Sequence, residues 1–149
     1  MTFKETVYEA LQNLVAQKID AVQQTLQDLH ASAANETKST AGDKHETALA
    51  MLQLEQENKR KQLKDLQEQA ALLQKINPAV ASQTVLNGAL VQTAQGYFFI
   101  SIGIGKMMLA GKTVYALSPQ APLGQLLRGK VAGERVTLNG KSYKLLSVE

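Results

Sequence analysis

The hydrophobic pattern in the first half of the chain has the period of an α-helix. Apolar residues recur in steps of three and four, which places them in one stripe on a helix. The first stripe consists of Phe3, Val7, Leu11, Val15, Ile19, Val22, Leu26 and Leu29. The second consists of Ala48, Leu52, Leu63, Leu66, Ala70 and Leu73. Because each stripe can bury the other, the pattern predicts an antiparallel helical hairpin with arms of about 45 Å.

A polar stretch, residues 34–42, separates the two stripes and contains the only glycine of the first half, Gly42. It predicts the turn of the hairpin. The second stripe is interrupted by the polar residues 55–62, so we expect the hairpin to protrude into solvent instead of forming a globular core. Pro78 disfavours helical geometry at Asn77 and ends the second helix.

From Val85 onward the pattern changes to short apolar runs that are typical of β-strands. The predicted strands are 89–92, 97–102, 113–117, 135–138 and 141–146. Asn139 and Gly140 join the last two as a hairpin, because both central residues of a type I′ turn need a positive φ. A short helix is predicted over 122–128, with its proline in the first turn and Gly129 at its C-terminal end. Its leucines, Leu123, Leu126 and Leu127, are expected in the core.

These patterns predict an α+β protein of two domains. An antiparallel coiled-coil hairpin occupies residues 1–76, with its acidic tip near 35–47. A linker spans 77–83, and a small α+β domain spans 84–149. The charge divides in the same way: residues 1–82 hold nine Lys and Arg against eleven Asp and Glu, a net −2, whereas residues 83–149 hold seven against two, a net +5. The two halves are therefore different kinds of structure.

Composition excludes several classes of protein. There is no cysteine, which excludes a disulfide scaffold and a thiolate metal site. The sequence has no apolar run of about 18 residues and no signal-peptide pattern at its N-terminus. We therefore expect a soluble, cytoplasmic protein that does not associate with a membrane.

Two segments carry a resemblance to a known family. Residues 42–46 read GDKHE, and residues 121–136 read APLGQLLRGKVAGERV. The chain resembles the Gre transcript-cleavage factors, which are elongation factors of bacterial RNA polymerase. That family has an antiparallel coiled coil with a G-D-x-x-E acidic tip, then an FKBP-like domain with a segment resembling S-P-x-G-x-x-L-L-G-K-x-x-G-D-x-V. The resemblance includes a last strand over 143–148, like the last strand of the family, and it covers both halves in the same order.

The resemblance implies that the hairpin enters the secondary channel of RNA polymerase while the FKBP-like domain docks at the rim of the channel. It implies a monomeric accessory factor that is not itself an enzyme and binds no cofactor tightly. In the family the tip carboxylates help hold the second catalytic Mg²⁺ of the polymerase, near the 3′ end of the nascent RNA. Carried over by motif, those carboxylates are Asp43 and Glu46.

The chemistry of Asp43 and Glu46 is compatible with this role. Mg²⁺ prefers hard oxygen ligands, and two carboxylates three residues apart at a helix start can point the same way. Helix capping is the alternative, because both negative charges favour the positive end of the helix dipole. The tip also carries Lys38 and Lys44, which offset its three acids to a net −1. A regulator or inhibitor that enters the channel without stimulating cleavage therefore remains an alternative.

Further candidates are charged surface residues. The residues that resemble the RNA-contacting patch of Gre hairpins are Lys59, Arg60, Lys61 and Lys64. A solvated helix face is the preferred interpretation, because acidic residues flank the patch. Arg128 and Lys130 are candidates for polymerase docking.

Two other patterns suggest binding sites. His30 and His45 could approach each other near the tip and hold a metal with a tip carboxylate, although two exposed histidines without function are the preferred interpretation. Residues 105–113 look like a phosphate-binding loop, but five residues separate the glycines where the motif needs four, and strands flank it where a helix should follow. We reject nucleotide binding there.

Two other functional classes remain open. One is an FKBP-like prolyl isomerase or chaperone, which would need a concave aromatic pocket. The other is a coiled-coil adaptor that dimerises through its apolar seam.

Overall fold

Two long helices open the chain and pack against each other as a hairpin. The computed structural model describes the backbone of residues 1–37 and 42–149 and the side chains of residues 1–35 and 46–149. Helix α1 spans Phe3–Thr37 and helix α2 spans Gly42–Gln74. With 35 and 33 residues, each is about 50 Å long at 1.5 Å rise per residue. The predicted hairpin is confirmed.

A small mixed sheet with one short helix follows, so the predicted α+β class is also confirmed. Its elements are β1 (Leu90–Thr93), β2 (Gly96–Ile100), β3 (Gly105–Leu109), β4 (Lys112–Leu117), α3 (Pro122–Leu127), β5 (Arg135–Leu138), β6 (Lys141–Lys144) and β7 (Ser147–Val148). Five strands form one sheet in the order β3-β4-β2-β1-β7, and β5 and β6 form a separate hairpin. Within the sheet β2 and β4 are parallel, and the other pairs are antiparallel.

The chain divides into two compact units. One is Asn13–Ala70, the greater part of the helical hairpin, and the other joins Met1–Gln12 to Ala71–Glu149. The first residues of α1 and the end of α2 therefore belong to the same unit as the sheet. The linker that the sequence predicts at 77–83 lies inside this sheet-containing unit.

The hairpin unit is held by a heptad seam. Val15, Val22 and Leu29 are buried in α1 at intervals of seven residues, which is the repeat of coiled-coil packing. In α2 the buried positions include Leu66 and, within the predicted polar interruption, Gln56. The polar interruption thus contributes a side chain to the seam itself.

One face of the sheet carries the main hydrophobic core of the second unit. Alternate residues of the central strands, such as Val91, Phe98 and Ile100, pack with Leu123 and Leu127 of α3. The core is completed by Val85, Ala89, Val136 and Leu145. Phe98 also stacks on Tyr115, its partner across the parallel β2–β4 pair, with ring centroids 5.1 Å apart.

The other face of the sheet contacts the first turns of α1. Phe99 is fully buried, and its ring lies 6.5 Å from that of Tyr8 in an edge-to-face arrangement. Phe3 packs against Tyr97 with ring centroids 4.9 Å apart. The Tyr8 hydroxyl donates a hydrogen bond of 2.6 Å to the carbonyl oxygen of Leu73, which joins the ends of the two helices within this unit.

Some local expectations hold and others are wrong. Leu123 and Leu127 are buried as predicted, but Leu126 is 37% exposed. Helix α3 has only six residues, and the two leucines four positions apart take its buried side. Strand β3 was not predicted, and the last strand that the resemblance implies over 143–148 is divided in the structure between the end of β6 and β7. The rejection of a phosphate-binding loop at 105–113 is consistent with the structure, because a tight turn at Ala110 and Gly111 joins two strands there.

No helix in the described ranges combines the length and the apolar character that crossing a lipid bilayer requires.

Candidate functional site

The start of α2 is the place where the sequence puts its acidic site. Helix α2 begins at Gly42, the first residue of the GDKHE segment. Glu46 lies in the helix with its side chain exposed to solvent. The side chain of Asp43 lies outside the described residues, so the pairing of the two carboxylates stays a prediction.

The two histidines are not brought together within the described residues. His30 is exposed on α1, and the side chain of His45 lies outside the described part. Among the side chains that the structure describes, no group of three or more His, Cys, Asp or Glu residues is arranged to hold a metal ion.

The predicted RNA-contacting patch lies on α2. Lys59 is half-buried, and its ammonium is 3.4 Å from the amide oxygen of Gln62. Lys61 forms an exposed ion pair of 3.8 Å with Glu57 one turn earlier, an arrangement that contributes only about 0.3–0.5 kcal/mol. Arg60 and Lys64 are exposed and four residues apart, which places them one above the other on the helix surface. These two are the exposed cations of the patch that form no ion pair with a described residue.

The predicted docking residues follow α3 in a segment with a fixed backbone. The Arg128 N–H bonds to the carbonyl of Gly124 at 3.1 Å and closes the helix. The next two residues pair with Val85, since Gly129 donates to its carbonyl at 2.8 Å and Lys130 accepts from its N–H at 2.9 Å. The Arg128 side chain is exposed and that of Lys130 is half-buried. Both are therefore presented from a well-anchored loop.

The motif before α3 has a structural role of its own. The carbonyl oxygen of Ser118 accepts a 3.1 Å hydrogen bond from Ala121, and the Ser118 hydroxyl donates to the side chain of Gln120 at 2.8 Å. A Cβ atom at Gly124 would overlap that Ser118 carbonyl oxygen. Glycine is needed at this position because the preceding turn approaches the helix backbone directly.

A buried lysine is the residue that the sequence analysis missed. Lys4 is only 4% exposed, and its ammonium donates to the carbonyl oxygens of Val80 and Glu149 at 2.8 and 3.0 Å. Burial lowers the pKa of Lys4, and the charge of Glu149 opposes that shift. The sequence does contain a signal for this burial. Lys4 lies seven residues before Leu11, and that spacing places it on the apolar face of α1.

A second cluster in the same unit combines a cation with two rings. The ammonium of Lys112, at the start of β4, lies 4.6 Å from the centroid of the Phe3 ring and 5.5 Å from that of Tyr97. Such cation–π contacts contribute about 0.5–1 kcal/mol at exposed sites. The cluster helps to hold the start of α1 on the sheet.

A scan against protein-family models, a search of curated proteins and a search of solved structures gave no match to this chain.

Proposed function

We propose that this chain is a Gre-like factor that binds bacterial RNA polymerase and inserts its helical hairpin into the secondary channel. The observation that carries the proposal is the combination of architecture and motif. A hairpin of two long helices precedes a small α+β domain, and the GDKHE segment begins α2. In this proposal the α+β domain is FKBP-like and the protein acts as a monomer.

The proposed activity is stimulation of transcript cleavage by the polymerase itself. Asp43 and Glu46 would supply carboxylate oxygens, which are ligands that Mg²⁺ prefers. Two-metal sites stabilise both the attacking and the leaving oxygen of phosphodiester hydrolysis, and here the metal is shared with the polymerase active site. Glu46 is exposed, as a residue that must reach another protein's active site has to be.

The remaining charged candidates support binding. Arg60 and Lys64 are exposed on one side of α2 and suit the phosphates of the nascent RNA. Arg128 and Lys130 lie on the segment anchored to Val85 and are proposed to contact the rim of the channel. The protein would contribute positioning and carboxylates but no catalytic centre of its own.

A second candidate function is a secondary-channel regulator that does not stimulate cleavage. The observation that favours it is the charge of the tip, where Lys38 and Lys44 offset three acids to a net −1. A lysine directly after Asp43 lowers the attraction of the tip for a divalent cation. Such a protein would occupy the channel and slow elongation.

The test is transcript cleavage in a backtracked elongation complex of the cognate polymerase. The wild type is compared with Asp43→Ala and Glu46→Ala at equal polymerase occupancy. Asp65→Ala is the matched control, because it removes an exposed carboxylate from the same helix far from the tip. Cleavage that both tip substitutions abolish, while the control and polymerase binding are unaffected, supports the cleavage function.

Two other outcomes have distinct meanings. Binding with slowed elongation and no cleavage favours the regulator. A wild-type protein that does not bind polymerase contradicts both candidates.

A further inference from the structure

The β5–β6 hairpin has one face in the core and one in solvent. Val136 and Tyr143 are cross-strand partners, and both pack in the core cluster of the sheet. Because side chains alternate along a strand, the neighbouring pairs lie on the opposite face. These pairs are Arg135 with Lys144 and Thr137 with Ser142, and all four side chains are exposed.

The pairing of Arg135 with Lys144 is unfavourable by itself. The two cations are directly opposite across an antiparallel pair, where like charges destabilise a sheet. Within the described residues neither forms an ion pair. Residues 128–148 contain five Lys and Arg and one acid, Glu134, and the carboxylate of Glu134 accepts a 2.9 Å hydrogen bond from the Val131 N–H. The repulsion between Arg135 and Lys144 is therefore not offset by an ion pair with a described acidic side chain, and both residues are exposed to solvent.

The outer face offers a uniform set of hydrogen-bond donors to an anion. A guanidinium, an ammonium and two hydroxyls are the side-chain groups that contact phosphate oxygens in protein–nucleic acid complexes. A two-stranded ribbon is also narrow enough to lie against a nucleic-acid groove. The phosphodiester backbone of a nucleic acid has the charge density to offset the repulsion between Arg135 and Lys144. Each phosphate that they neutralise also releases a counterion, which favours binding.

We infer that the outer face of the β5–β6 hairpin binds the phosphodiester backbone of a nucleic acid without reading its bases. The face consists of Arg135, Thr137, Ser142 and Lys144. This binding is independent of the proposed action of the helical hairpin on polymerase. Its expected dissociation constant is that of non-specific binding, on the order of 10⁻⁴ to 10⁻⁶ M.

The test measures binding of the full chain to a fluorescent DNA duplex and to a single-stranded RNA over a series of salt concentrations. The variant is Arg135→Gln/Lys144→Gln, which also relieves the repulsion and should leave the fold at least as stable. The control is Lys75→Gln/Lys106→Gln, which removes the same charge from exposed positions of the same unit. Poly-L-glutamate serves as a competitor.

The inference predicts a weaker salt dependence for the hairpin variant. On duplex DNA the magnitude of the negative slope of log K against log salt should fall by about two, roughly one for each lost phosphate contact. The control should change it by much less. Equal effects of the two variants would overturn the inference, because binding would then depend on net charge alone. An absence of wild-type binding would also overturn it. Competition by poly-L-glutamate as strong as that by nucleic acid would overturn it too, because it would indicate an acidic protein surface as the partner.

Discussion

The ammonium of Lys4 lies 2.8 Å from the carbonyl oxygen of Val80 and donates a hydrogen bond to it. A second bond, of 3.0 Å, reaches the backbone oxygen of Glu149. One side chain therefore connects the first turn of α1 with the segment after α2 and with the residue that follows β7. Lys4 is almost fully buried, and the Glu149 oxygen that it contacts also accepts a 3.0 Å hydrogen bond from the Leu90 N–H, so Lys4 adds to the backbone pairing at this end of the sheet.

Replacing Lys4 by methionine should destabilise the sheet-containing unit. Lys4→Met keeps most of the side-chain volume but leaves two carbonyl oxygens without this donor, a loss of about 1.5–3 kcal/mol. The free energy of unfolding from urea denaturation measures it. Lys18→Met, at an exposed position of the same helix, is the control and should change little. Equal stabilities of the two variants would contradict the role of Lys4.

The contribution of Lys4 should depend on pH in the alkaline range. Burial lowers its pKa below the ordinary 10.5, so between the lowered value and 10.5 the unfolded chain binds more protons than the folded one. Stability from this group therefore rises with pH in that window. The difference in unfolding free energy between wild type and Lys4→Met isolates it from the other lysines. A difference that shrinks as the pH approaches 10.5 would contradict the assignment.

Replacing Gln56 by leucine should stabilise the helical hairpin. Gln56 is 7% exposed, and its amide forms no hydrogen bond with any residue that the structure describes. Replacing a buried polar group of this kind with an apolar one should raise the free energy of unfolding by about 1–3 kcal/mol. Thermal unfolding followed by circular dichroism measures the gain, and the exposed Gln53→Leu in the same helix should show none.

A second measurement tests why a polar residue occupies the seam. A single polar side chain in a coiled-coil seam fixes register and oligomeric state at a cost in stability. Sedimentation should therefore show whether Gln56→Leu associates where the wild type does not. A loss of stability in Gln56→Leu would show that the amide is satisfied in solution.

A methyl group at Gly124 should disrupt the turn before α3. In Gly124→Ala the new Cβ would overlap the Ser118 carbonyl oxygen, and relieving this contact is expected to cost about 1–3 kcal/mol. Gly103→Ala is the matched control, since its Cβ would meet the Ser118 Cβ at an ordinary 3.8 Å. Denaturant unfolding of both variants provides the comparison. Equal losses would mean that the close approach at Gly124 is unimportant.

The turn between β3 and β4 should be improved by asparagine. Ala110 has a φ of +50° and is followed by Gly111 at +74°, and the β5–β6 turn has Asn139 at +52° and Gly140 at +79°. The two turns share one geometry, but alanine is strained there and asparagine is not. Ala110→Asn should stabilise the protein by roughly 1 kcal/mol, and Asn139→Ala should destabilise it by a similar amount. Changes of the same sign in the two variants would contradict the shared geometry.

The sequence was sufficient where the signal is local. The apolar period of the first half predicted both long helices, Asn139 and Gly140 predicted a hairpin, and Pro122 predicted a short helix. Strand β3 was missed because Ala110 gives no turn signal, and it is defined by its pairing with β4. The single last strand expected over 143–148 is two strands in the structure, because β6 pairs with β5 whereas β7 pairs with β1. Of the candidate site, the exposure of Glu46 agrees with its proposed role, and the function itself stays a proposal.

What the sequence determined by itself is the order of two long helices followed by a small α+β region, since propensity and period act between near neighbours. Tertiary structure alone decided the two carbonyl partners of Lys4 and the burial of Gln56. It also decided the requirement for glycine at position 124 and the opposition of Arg135 to Lys144. Each of these depends on atoms far apart in the chain or on the register of two strands, and short-range pattern carries no information about either.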